Sequence, residues 1–131
     1  MQDRPAPDEL LDAVASFLRE QLTGASGAPL AFHARVAANA IDIVRRELQL
    51  APAASARERA ALVRLLNADP ASDVAQLNRL LCERIAAGEM DLATPGLAET
   101  LWQITLDKLA VDQPTYDTYL RSTPAARDEE R

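Results

Sequence analysis

The chain has 131 residues, a formal net charge of −6, a hydrophobic fraction of 48% and an aromatic fraction of only 4%. Its 26 alanines and 19 leucines stand against six valines and four isoleucines, a balance that favours helix and excludes an all-β or doubly wound fold, which draws on β-branched and aromatic residues. A single cysteine, Cys82, excludes a disulfide framework and a cysteine-based zinc site, and no apolar run approaches the roughly 18 residues needed to span a bilayer.

Eight prolines, at positions 5, 7, 29, 52, 70, 95, 114 and 124, cut the chain into helix-length pieces. Proline is tolerated in a first helical turn but costs about 3 kcal/mol in a helix interior. The first predicted helix runs from Asp8 to Leu22, with Leu10, Val14, Phe17 and Leu18 on one face and Asp8, Glu9 and Asp12 at its positive dipole end. Gly24 and Gly27 open a turn. The second helix starts beside Pro29 and ends near Leu50, with Val36, Ala37, Ala40, Ile41, Val44 and Leu48 expected inward. A capping box from Ser55 to Glu58 predicts the start of a third helix, which stops near Asn67 and Pro70.

The fourth helix is capped by Ser72 or Asp73, carries Val74, Leu77, Leu81 and Ile85, and stops at Gly88. The fifth takes Thr94 as cap and Pro95 in its first turn, followed by Leu97, Leu101, Trp102, Thr105 and Leu109. A short sixth follows Pro114 with Tyr116, Tyr119 and Leu120. Short connections favour antiparallel neighbours. The expectation is a compact all-α bundle of five to six mostly antiparallel helices in one domain, 1–123, with a polar, frayed tail at 124–131. An N-terminus containing Asp3, Arg4, Pro5 and Pro7 lacks the basic and apolar regions of a signal peptide, so a cytoplasmic protein is expected.

The charge is uneven: residues 35 to 64 carry six arginines against three acids, and residues 83 to 117 carry seven acids against Arg84 and Lys108. The segment from Asp73 to Ala87 offers a would-be recognition helix only Arg79 and Arg84, which argues against nucleic acid as a partner. The lack of a basic amphipathic face argues equally against a membrane surface.

Helix two has the most unusual composition, AFHARVAANAIDIVRREL over Ala31 to Leu48. Its spacing sets His33, the one histidine, on the inward face, as a general base, a ligand contact or a core histidine bonded to a carbonyl. No second metal-ligand residue accompanies it at helical spacing, so neither a metal nor another cofactor is expected. Arg35, Asn39, Asp42 and Arg46 form one polar stripe, a solvated face or a contact for a partner or anion. Arg45, Arg46, Arg57 and Arg59 flank an expected loop from Gln49 to Ser55, where the N–H groups opening helix three and these guanidiniums would meet a phosphate. Cys82 is expected as a buried thiol, and Trp102, Tyr116 and Tyr119 as core or as an interface. No catalytic constellation emerges.

The pattern RP-x-P-x-ELL-x-AV-x-x-FLRE from Arg4 to Glu20, followed by AFHARVAANA and IVRREL, resembles a small all-helical bacterial family of unknown function. Genes of that family tend to lie beside acyl-CoA dehydrogenases and aminoglycoside-phosphotransferase-like kinases, which implies an accessory role in acyl-CoA metabolism and a partner of one of those two kinds. The leading expectation is a non-catalytic helical accessory or interaction module. The alternative is a small ligand-binding protein or enzyme acting on a CoA thioester or phosphorylated metabolite. A homodimer burying Trp102 or Tyr119 is a third arrangement open to the sequence.

Overall fold

The computed structural model of the chain describes residues 6–22 and 27–122. Expectations placed on the other residues, among them the Gly24 turn and the polar tail at 124–131, lie outside the described residues. Five α-helices and no strand occupy what is described: α1 (Pro7–Phe17), α2 (Ala28–Leu66), α3 (Val74–Ala86), α4 (Leu97–Asp112) and α5 (Asp117–Ser122). A π-helical stretch, Leu18–Leu22, extends α1. The class is all-α, and the helix count falls in the expected range.

The main correction lies at Pro52. The second and third predicted helices are one helix of 39 residues with Pro52 inside it. Proline removes one backbone donor there and crowds the carbonyl of Leu48. Ala51, Ala53, Ala54, Ala56, Ala60 and Ala61 surround it, and alanine has the highest helix propensity of any residue, which sustains the helix through the break. The Ser55–Glu58 capping box therefore does not form, because Ser55 is already intrahelical.

The chain divides into two compact units, Met1–Leu50 and Ala51–Arg131, with α2 contributing to both. In the first unit α1 and the start of α2 form a hairpin. Three polar contacts run in opposite directions along the two helices: Gln49 to Asp8, Arg45 to Asp12, and Arg19 to Asp42. Such crossing order is antiparallel. The residues shut between the helices are small: Ala15 and Ala38 are fully buried, and Ala31 and Ala34 nearly so. Alanine at the crossing lets the two backbones approach closely, and the charged pairs flank it.

The second unit has the larger core, built from Leu62, Leu66, Leu77, Leu81, Met90, Leu97 and Ile104. Its helix ends are fixed by local chemistry. Asp73 accepts from the Gln76 N–H at 2.8 Å while Gln76 accepts from the Asp73 N–H at 3.1 Å, closing the capping box of α3. At its other end Glu89 N–H donates to Arg84 O and Gly88 N–H to Ile85 O, a Schellman closure with Gly88 at φ +73°. The end of α2 repeats it, with Asn67 at φ +49° and the Ala68 N–H donating to Val63 O.

The start of α4 differs from expectation. Thr94 Oγ1 accepts from the Asp91 N–H, so Thr94 closes the preceding turn, and Gly96 at φ +82° is the N-cap of a helix beginning at Leu97. The buried stripe of α4 is Leu97, Ile104 and Val111, whereas Leu101, Trp102 and Thr105 are exposed.

Candidate functional site

Counting about 100° per residue from Ala15 on α1 and from Ala38 on α2 fixes where every other side chain of the hairpin points. Val14 lies about 100° from the contact line and Val44 about 120° from its own, in the same sense of rotation. In antiparallel helices equal senses fall on the same side. That side carries Leu10, Val14 and Phe17 from α1 and Leu30, Val44 and Leu48 from α2, each 47–56% exposed. The opposite side carries Glu9 and Ser16 of α1 and Arg35, Asn39 and Arg46 of α2, with the exposed Phe32, Ile43 and Leu50 among them. The hairpin is thus a two-helix layer with one uncharged, apolar side and one side that mixes charged and polar residues with Phe32, Ile43 and Leu50.

This corrects the expected burial of helix two. Val36, Val44 and Leu48 are exposed, and the alanines Ala31, Ala34 and Ala38 are buried in their place. His33 is exposed as well, not inward, and its ring stands edge-on to that of Phe32, at 5.6 Å between centroids. The reason is the cross-helix charge pattern. Asp8, Asp12 and Arg19 find their partners on the Ala38 side of α2, and facing the two apolar stripes together would separate all three pairs.

Arg35 and Asn39 are exposed, and among the described residues their side chains make no hydrogen bond or ion pair. Arg45 pairs with Asp12 and lies 3.8 Å from Asp42, and its Nε is buried without a hydrogen-bond partner, as is Asp42 Oδ1. The loop that was to gather Arg45, Arg46, Arg57 and Arg59 is helix, so no free helix N-terminus stands among them. In the second unit Arg57 pairs with Asp107 at 3.0 Å, and Arg59 donates to the carbonyls of Pro70 and Ser72. Arg59 thereby stitches α2 to the α2–α3 turn, a role that its spacing alone does not signal.

Two other expectations change. Cys82 is exposed, because Leu77 and Leu81 define the buried line of α3 and Cys82 sits one residue, about 100°, beyond it. Trp102 and Tyr116 are about half exposed. A feature with no sequence signal is a shallow cleft of about 270 Å³ beside the start of α4, lined by Ala61, Arg64, Leu65, Pro95, Gly96 and Thr100. Among the described residues no cluster of three His, Cys, Asp or Glu stands ready for a metal ion, and no helix is long and apolar enough to cross a membrane.

Residues 24–116 match the family described as a domain of unknown function, DUF6285. Comparison with curated proteins and with solved structures finds no match.

Proposed function

The chain belongs to this family of unknown function, and from that premise we propose that it acts as a non-catalytic helical interaction module. The observation that carries the proposal is the apolar side of the α1–α2 hairpin. Six large hydrophobic side chains stand about half exposed on a layer only one helix thick. A helical layer with one apolar side gains stability only by burying that side against another element. The strongly placed charges of the unit are spent on holding the hairpin together, which supports a structural and docking role for it.

The resemblance of the N-terminal motifs implies an acyl-CoA dehydrogenase or a phosphotransferase-like kinase as the partner. Arg35 and Asn39, exposed on the polar side of α2, suit contact with such a protein. Size-exclusion chromatography of the full chain mixed with each enzyme tests this. One of the two is expected to co-elute with the chain, and Arg35→Glu to weaken the complex. Separate elution of both contradicts the assignment of partner.

The second reading is a binding protein or enzyme for a CoA thioester or phosphorylated metabolite. It draws on the cleft beside α4, where Arg64 stands near the first turn of that helix. A thermal-shift screen with acyl-CoAs and nucleotides separates the two. A ligand at a hundredfold excess over Kd adds about 2.7 kcal/mol of stability, whereas a flat screen leaves the interaction module standing.

A further inference from the structure

We infer that the apolar side of the α1–α2 hairpin is the interface of a two-fold dimer, in which a second copy of this chain lays the same side against it to complete a four-helix bundle. The inference rests on reading that side as a docking surface, and it names the occupant.

The absence of charge on that side points first to self-association. No Asp, Glu, Lys or Arg lies there on α1 or on residues 28–50 of α2, and His33 is the one polar residue that part of α2 presents. A phosphate, a nucleic acid or a charged peptide finds no counter-charge on it. A surface without charge, by contrast, meets its own copy with no like-charge repulsion, which an isologous contact requires because each residue can face its equivalent. The chain carries a net charge of −6, so two copies repel through most other approaches.

Area gives the second argument. Leu10, Val14, Phe17, Leu30, Val44 and Leu48, at 47–56% exposure, together with the alanines between them offer on the order of 700 Å² per copy, close to the roughly 800 Å² per partner of a standard stable interface. Architecture gives the third. Two antiparallel hairpins stacked through their apolar sides are the two layers of an up-and-down helical bundle, with the Ala15–Ala38 contact inside each layer and the leucines and valines between layers.

Sedimentation velocity of the full chain at micromolar concentration tests the inference. The wild type is expected at about twice 14.2 kDa. Val44→Glu buries an unpaired charge in the interface and is expected to weaken the dimer by roughly a hundredfold or more. Val14→Glu, on the other helix, is expected to do the same and serves if the first variant fails to fold, with far-UV circular dichroism reporting helicity for both. Ser16→Lys, on the polar side, is expected to leave the dimer intact. A wild type that sediments as a monomer throughout overturns the inference, and so does a dimer that survives both charge variants. If the wild type is monomeric while Val44→Glu abolishes binding to a separate protein, the docking reading stands and the second copy is the wrong occupant.

Discussion

Arg45 on α2 and Asp12 on α1, 33 residues apart in sequence, form an ion pair across the first hairpin. With Arg19–Asp42 and Gln49–Asp8, this pair decides which sides of the two helices meet. It follows that Leu10, Val14 and Phe17 of α1 and Leu30, Val44 and Leu48 of α2 turn together to one outer side. Replacing Arg45 with Ala removes the pair and leaves Asp42, whose side chain is 16% exposed, with one cation fewer. Because the pair is largely exposed, the expected loss is about 0.5–1 kcal/mol of unfolding free energy in urea. A variant as stable as the wild type contradicts the role given to Arg45.

Close approach at the alanines predicts a strong asymmetry between neighbours. Ala38 is fully buried and Ala37 is exposed. Ala38→Leu is expected to cost about 1–3 kcal/mol by overpacking, while Ala37→Leu, which projects from the outer side, is expected to leave the folding stability of the single chain at high dilution nearly unchanged. Chemical denaturation of the two variants side by side checks this, and equal effects would refute the hairpin geometry.

Continuity of α2 through Pro52 predicts that Pro52→Ala stabilises the protein. The substitution restores a backbone donor and relieves the ring's contact with the preceding turn, worth up to about 3 kcal/mol in a helix interior. Thermal unfolding should shift upward with no loss of helical ellipticity. A downward shift would mean that the proline lies in a break between two helices, as expected from the sequence.

The second unit depends on its leucine core. Leu62 is fully buried among Leu66, Leu77 and Leu81, and Leu62→Ala is expected to destabilise by about 2–5 kcal/mol. Gly88→Ala, at φ +73° with open space around the new Cβ, is expected to cost only about 1–2 kcal/mol from backbone strain. Reversal of that order would contradict the assignment of the core.

Much of this architecture is legible in the residues. Asp73, Gly88 and Asn67 announce their caps because each acts through its own backbone, within a few residues. Pro52 misleads because its effect is a balance, and the alanines on either side outweigh it. The choice of buried face is harder still. Periodicity identifies the stripe of Val44 and Leu48 but cannot say which neighbour the stripe meets. The signal that turns it outward lies in the antiparallel matching of Asp8, Asp12 and Arg19 with Gln49, Arg45 and Asp42, a pairing visible only once the two helices are set side by side. His33 follows the same logic: it shares the outward-turned half of α2, so its expected burial goes with that of the stripe. Arg59 and Arg64 gain their places from the α2–α3 turn and the Pro95–Gly96 corner, which no local pattern connects to them.

The most direct measurement of the central claim is the molar mass of the full chain by light scattering across a dilution series. If the outer side of the α1–α2 hairpin is covered by a second copy, the mass begins near twice 14.2 kDa and falls toward the single-chain value on dilution. A constant mass of 14.2 kDa at every concentration contradicts it.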